Sequence, residues 1–204
     1  DKIQKQGKEK VHINHMPATH DFKKGELSIL VVEKKKKNHT WLSMNQEGIA
    51  KVGIDDFAQK LIGKIDSLEL PNLGMNVKVG QPLFTIKQGN RSVTFTSPVS
   101  GKVSQINTLL KDNLEALDIT PYERNWVCAL DAENLDSEIK EMQIRKSAVA
   151  FFQEDIEKFK TLFMELLKSE KKSDEYLEEG LFIGQLSKLS DVNWNKIIAE
   201  FFVR

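Results

Sequence analysis

The stretch that decides the fold of this chain is residues 83–96, which read LFTIKQGNRSVTFT. A Gly-Asn pair between two segments of alternating apolar and polar residues is typical of a two-residue β-hairpin of the primed type. With Gly89 and Asn90 as the turn, the apolar residues fall opposite each other on one face, in the pairs Ile86–Val93 and Phe84–Phe95. A slip of one residue would separate these pairs. We therefore predict this register for the hairpin.

This register also predicts where the polar residues of the hairpin lie. Lys87 falls on the opposite face, paired with Ser92 and removed from the tip. Arg91 follows the turn directly, and we interpret it as a solvent-exposed turn residue. We also expect a positive φ at Asn90, a conformation that asparagine adopts more readily than lysine.

Composition limits the classes of protein that this chain can be. It has 204 residues, of which 40% are hydrophobic, and its 30 basic and 30 acidic side chains balance to zero net charge. The length suits one domain with appendages, and the neutral balance argues against a nucleic-acid-binding protein. The single cysteine, Cys128, excludes an internal disulfide framework or a multi-cysteine metal site. We expect Cys128 to be a buried small hydrophobe. No apolar run approaches the ~20 residues of a membrane span.

Three regions follow one another along the chain. Residues 1–38 form a polar, lysine-rich N-terminal arm with one predicted strand at 27–32. Residues 39–132 read as short strands, interrupted by one helix at 54–63 that Asp55 caps and Gly63 ends. Residues 133–204 contain no proline and read as helix. The chain begins at Asp1 rather than Met, which leaves room for a removed leader or a longer N-terminus, and we expect a cytoplasmic protein.

The helical region carries two apolar patterns. Residues at spacings of three and four form one stripe, made of Val149, Phe152, Ile156, Phe159, Phe163 and Leu166. Ser190 or Asp191 then caps a last helix, whose apolar residues are Trp194, Ile197, Ile198, Phe201 and Phe202. We interpret the two helices as a hairpin that packs on itself or on the preceding sheet.

Residues 39–132 resemble the glycine-cleavage H protein, a member of the lipoyl/biotinyl-domain superfamily. The resemblance starts at the His-x-Trp motif of His39 and Trp41 and continues through residues 53–59, which read GIDDFAQ. Further motifs follow in order, namely Leu70-Pro71, Gly74, Gly80, the SPVSG turn at 97–101, Asp112-Asn113, Pro121-Tyr122 and Trp126. The resemblance implies an α+β fold, a barrel-sandwich hybrid of two small antiparallel sheets with a C-terminal helical extension.

The resemblance also implies a chemistry and its attachment site. The family carries a lipoyl group, amide-linked to a lysine at the hairpin tip, and in an ungapped comparison that lysine falls on Asn90. Because an asparagine amide has no nucleophilic amine, we predict a domain without a cofactor and without enzymatic activity, which serves as a scaffold for a protein partner. The alternative is a working lipoyl carrier in a one-carbon or redox system, with lipoate attached at Lys87.

The remaining candidate residues give weaker indications of a functional site. The N-terminal histidines His12, His15 and His20 precede Asp21, and they leave a metal-binding protein as a third alternative. We otherwise assign no metal ligand and no catalytic residue. The lysine run at 34–37 and the acidic residues Glu154, Asp155 and Glu157 are interpreted as solvated surface, and His39 as a structural residue.

Overall fold

The computed structural model describes residues 26–29, 32–33, 39–45, 47–119, 122, 125–143, 146–172 and 184–202. It contains eleven strands in these residues, β1 to β11 in chain order: Glu26–Ile29, Val32–Glu33, Thr40–Asn45, Ile49–Ile54, Ser67–Glu69, Asn76–Val77, Pro82–Gln88, Arg91–Thr96, Gly101–Ile106, Trp126–Ala132 and Met142–Gln143. Its α-helices, α1 to α6, are Asp56–Ile62, Leu109–Asp112, Ala116–Ile119, Leu135–Glu138, Lys146–Ser169 and Asp191–Phe201. Two short 3-10 helices cover Ile139–Glu141 and Gln185–Lys188.

The strands form two antiparallel sheets and one small ribbon. The larger sheet has the order β1-β3-β4-β10-β9-β6, and the smaller sheet has the order β5-β7-β8. The ribbon pairs β2 with β11. This arrangement confirms the predicted α+β fold with two antiparallel sheets. It also shows that the strand predicted at 27–32 is divided, since β1 extends the larger sheet while β2 enters the ribbon.

Helix α1 follows the predicted capping. Asp55 is its N-cap and accepts a hydrogen bond from the Ala58 N–H at 2.8 Å. Gly63 ends the helix with a φ of +73°, a conformation that costs glycine little. Phe57 and Leu61 lie one turn apart and are both buried, as their spacing predicts. The helix therefore presents one apolar face to the core.

The C-terminal helices share one core with the sheets. The two sheets and α1 together are called the barrel below. A single cluster of buried side chains joins Ile54, Phe57 and Phe95 of the barrel to Phe159 in α5 and Phe201 in α6. The predicted stripe is confirmed for Phe152, Phe159, Phe163 and Leu166, which are buried, and Ile156 is half-buried. All five apolar residues predicted for the last helix are buried. The side chain of Val149 lies outside the described residues.

The prediction that residues 133–204 are helical is wrong for the first part of that region. Helix α4 spans only four residues, a 3-10 turn follows it, and β11 then pairs with β2. A strand pairing with residues more than a hundred positions earlier cannot be read from local helix propensity. The long helix α5 begins only at Lys146.

Several predictions fall on residues that the structure does not describe. The histidines His12, His15 and His20, with Asp21 and the lysine run at 34–37, lie outside the described residues. The metal-binding alternative therefore remains a prediction. Among the helices that are described, none is long and apolar enough to cross a membrane.

Candidate functional site at the hairpin end

The hairpin of β7 and β8 has the predicted register. Gln88 pairs with Arg91, Ile86 with Val93, and Phe84 with Phe95. The apolar residues of both strands are buried, and the rings of Phe84 and Phe95 stack with centroids 5.2 Å apart. Cross-strand pairs of this kind stabilise a sheet by about 0.2–1 kcal/mol each. The core therefore fixes which residues reach the tip.

The tip consists of Gly89 and Asn90, both of which are exposed. Gly89 has a φ of +57°, whereas Asn90 is not among the non-glycine residues with positive φ. A positive φ at the first central position only is the pattern of a type II′ turn, which places glycine at that position. Our expectation of a positive φ at Asn90 is therefore wrong. A side chain other than asparagine meets no special backbone strain there.

Lys87 lies within the smaller sheet rather than at the tip. It pairs with Ser67 on one side and with Ser92 on the other, so it occupies the middle strand. Its ammonium forms an ion pair with Glu69, and its side chain is 44% exposed. Moving Lys87 to the tip would require a slip in register that separates the buried apolar pairs.

The barrel side of the hairpin end is held by the segment after α1. The Gln88 side-chain amide donates to the carbonyls of Ile62, at 2.9 Å, and of Lys64, at 2.8 Å. The Gly89 N–H donates to the Asp66 carboxylate at 2.7 Å. These bonds join the turn directly to the loop that links α1 with β5, so this side of the turn is fixed.

Arg91 holds the other side of the hairpin end, which corrects its interpretation as a solvent-exposed residue. Its Nε donates to Asp191 Oδ1 at 2.8 Å, and its Nη2 donates to the Leu189 carbonyl at 2.7 Å. Nη1 donates to the Leu186 carbonyl at 3.2 Å, and the guanidinium lies 5.6 Å from the ring centroid of Trp194. The Arg91 side chain is only 19% exposed. The fork-shaped guanidinium suits this set of acceptors because its donors lie in one plane.

The C-terminal segment, residues 184–202, contains the acceptors of the Arg91 hydrogen bonds and is itself attached to the barrel. The Gly184 N–H donates to the Lys60 carbonyl at 2.8 Å, next to the end of α1. A Cβ atom on Gly63 would lie 2.5 Å from the Gly184 Cα. Only glycine permits so close an approach, because real Cβ contacts of this length do not occur. Both glycines also have positive φ.

Glu170 connects the end of α5 with the start of α6. One carboxylate oxygen accepts hydrogen bonds from the Ser190 hydroxyl and the Asn193 amide, both at 2.6 Å. The other accepts from Lys172 Nζ at 2.9 Å. The hydrogen bond from Lys172, followed by those from Ser190, lowers the pKa of Glu170 from 4.5 to about 2. The carboxylate thus stabilises the turn that places Asp191 beside Arg91.

A second polar cluster joins the barrel to α5. His39 is fully buried, and its Nδ1 lies 2.8 Å from Asp55 Oδ2. Its Nε2 lies 3.6 Å from Asp155 Oδ2, and Phe57 stacks on the imidazole with centroids 4.4 Å apart. Burial raises the pKa of Asp55, although the imidazole opposes this effect. His39 has a φ of +46°, an uncommon conformation for a residue other than glycine.

The predicted environment of Asp155 is also wrong. Glu154 and Glu157 are exposed, as expected, but Asp155 is buried beside His39. The helical spacing holds the signal, since Asp155 lies three positions after Phe152 and four before Phe159 on the apolar side of α5. Cys128 is buried as predicted, and burial raises the pKa of its thiol to about 12.

The two antiparallel sheets and the tight hairpin of β7 and β8 are consistent with a lipoyl-domain-like barrel-sandwich protein. The model of the glycine cleavage H-protein family matches residues 33–155. The chain therefore belongs to the glycine cleavage H-protein family. The match ends within α5, so the rest of that helix and all of α6 lie outside it.

Several individual proteins are similar to this chain. A probable glycine cleavage system H protein of Thermococcus gammatolerans is 40% identical over 106 residues, which cover 52% of this chain and 78% of the relative. A glycine cleavage system H protein of Oceanobacillus iheyensis is 33% identical over 118 residues, which cover 58% of this chain and 92% of the relative. A crystal structure of a glycine cleavage system H protein from Mycobacterium marinum matches with a TM-score of 0.44 and 19% identity, covering 51% of this chain and 91% of that chain.

Proposed function

We propose that this chain is an H-protein-like domain without a lipoyl group, which serves as a non-enzymatic scaffold for a protein partner. The observation that carries the proposal is the identity of the tip residue, since Asn90 stands where the family resemblance implies the lipoyl lysine. Acylation needs a nucleophilic amine. The amide nitrogen of asparagine does not supply one, because its lone pair is delocalised into the carbonyl.

The surroundings of the tip support the same proposal. A carrier needs an arm that enters the active sites of its partners, and such an arm must project freely. Here Gly89 is hydrogen-bonded to Asp66, and Arg91 is hydrogen-bonded to the C-terminal segment. The helices beyond residue 155 add surface that the family model does not include, and we assign the protein partner to that added surface.

The second candidate function is a lipoyl carrier that uses Lys87. It is favoured by one observation, namely that the Lys87 side chain is 44% exposed and therefore accessible to solvent. Its position in the middle strand and its ion pair with Glu69 oppose it. A ligase that recognises a protruding turn would meet Gly89 and Asn90 instead.

Intact mass tests the two candidates directly. The protein is co-expressed with a lipoyl ligase in medium that contains lipoate, and we expect its mass to stay unchanged. Lys87→Arg tests the alternative site, and Lys102→Arg is the matched control, because Lys102 is an exposed strand lysine elsewhere in the sheets. A gain of one lipoyl mass that Lys87→Arg abolishes and Lys102→Arg preserves would contradict the scaffold proposal and support the lipoyl carrier.

A further inference from the structure

We propose that the C-terminal segment 184–202 is an intramolecular cover of the hairpin end, and that it prevents the tip from entering a modifying enzyme even when residue 90 carries an amine. The inference rests on the proposed function and deepens it, because it names a second feature, besides Asn90, that opposes a carrier role. The Arg91 side chain fastens this cover.

The contacts that hold the cover lie next to the tip. Arg91 directly follows Asn90, and all three of its hydrogen-bond acceptors belong to the segment 186–191. Two of these acceptors are backbone carbonyls, so the segment is held in place along its main chain. A protein that encloses residue 90 must also accommodate the residues on either side of it. Because Arg91 is hydrogen-bonded to Asp191, that protein must accommodate the start of α6 as well.

The cover is anchored at three further points. Gly184 packs against Gly63 at the end of α1, and Glu170 orders the start of α6. The ring of Phe202, at the other end of α6, lies 6.0 Å from the ring of Phe95 in the hairpin strand β8. The segment therefore contacts the hairpin beside its tip, at Arg91, and farther along β8, at Phe95, which makes it a fixed element of the hairpin end.

The test supplies an amine at residue 90 and then weakens the attachment of the cover by a substitution within the cover itself. Asn90→Lys supplies the amine. Asp191→Lys opposes Arg91 with a like charge at a position that is 82% exposed, so it disturbs no packing. Glu165→Lys is the matched control, since it makes the same charge reversal at an exposed position of the neighbouring helix α5. The ligase first joins the lipoate carboxylate to the α-phosphate of ATP, with release of pyrophosphate. The lysine amine then attacks the resulting lipoyl-AMP, which forms the amide and releases AMP and a proton.

We expect Asn90→Lys alone, and Asn90→Lys with Glu165→Lys, to be lipoylated slowly. Asn90→Lys with Asp191→Lys should be lipoylated at least about tenfold faster, which corresponds to about 1.4 kcal/mol in the free energy of opening. Arg91→Gln, combined with Asn90→Lys, should accelerate the reaction as well. Unfolding midpoints of all four proteins establish that each remains folded.

One result would overturn the inference. If Asn90→Lys is lipoylated equally fast with and without Asp191→Lys or Arg91→Gln, exposure of the tip does not limit the reaction. The proposed function fails on a different result, a lipoyl mass on the unsubstituted protein, so the two failures are distinguishable.

Discussion

Phe202 offers the sharpest test of whether the C-terminal helices and the barrel form one cooperative unit. Its ring lies at the end of α6 and is almost completely buried. The ring centroid is 5.4 Å from that of His39 at the start of β3 and 6.0 Å from that of Phe95 in β8. A substitution at Phe202 therefore acts on the junction between the barrel and the added helices.

The size of the effect of Phe202→Ala follows from burial and from the cavity that remains. Moving a fully buried phenylalanine side chain into water costs about 1.5–3 kcal/mol. The cavity adds to this cost, and Phe→Ala substitutions in cores destabilise proteins by about 3–5 kcal/mol in total. Because the space is bounded by the barrel and by α6 together, we expect this loss in the free energy of unfolding of the whole chain.

Urea unfolding followed by NMR provides the measurement. The indole N–H signals of Trp41 and Trp126 report on the barrel, and that of Trp194 reports on α6. We expect all three signals to disappear together, at a lower urea concentration in Phe202→Ala than in the unsubstituted protein. Val192→Ala is the control, because Val192 lies on the same helix but is 68% exposed.

The reasoning would be refuted by two outcomes. In one, the Trp194 signal disappears at a urea concentration at which the Trp41 signal persists, which would make the helices an independent appendage. In the other, Phe202→Ala costs less than about 1 kcal/mol, well below the range for a buried phenylalanine. Either result would also remove the physical basis for a cover fixed to the hairpin.

Two further substitutions test how the segment around residue 184 is attached. Glu170→Gln should lower the free energy of unfolding by about 1.5–3 kcal/mol near neutral pH, the range for hydrogen bonds to a charged group. Because the pKa of Glu170 is lowered to about 2, this stabilisation is complete above pH 4.5, the ordinary pKa, and is lost as the pH falls towards 2. The urea unfolding curves of the two proteins should therefore converge near pH 2. An unchanged difference between them at pH 2 would contradict the prediction. Gly63→Ala should destabilise by at least about 2 kcal/mol, since positive φ alone costs about 1–2 kcal/mol and the new Cβ clashes with Gly184. Gly89→Ala is its control, with positive φ but open space around the Cβ, and an equal loss of thermal stability in both variants would show that the close approach contributes nothing.

The sequence predicts those features whose causes are local. The register of the hairpin follows from the spacing of Ile86, Val93 and their neighbours, and the bounds of α1 follow from Asp55 and Gly63 at its two ends. Each of these patterns lies within about fourteen residues. The pairing or capping partner is therefore visible beside the residue that needs it.

The features that the sequence does not predict depend on distant partners. Arg91 meets acceptors about one hundred positions later, and Asp155 meets His39 after a separation of 116 positions. Each residue has a charge that is ordinary for an exposed position, so composition and spacing favour the solvated interpretation. Only the packing of α5 and α6 on the barrel changes that environment.

Residues 90 and 91 differ in how a substitution would act on the hairpin end. Asn90 is exposed and does not have the positive φ that would penalise most residues other than glycine, so lysine at this position costs the fold little. Arg91 is bonded to three acceptors in the C-terminal segment, and the register of the buried pairs holds it there. Asn90→Lys therefore supplies an amine, and if the C-terminal segment covers the tip as proposed, the substitution leaves that cover in place. In that proposal, the missing amine and the obstructed access to the tip have separate physical causes, which lie in two adjacent residues.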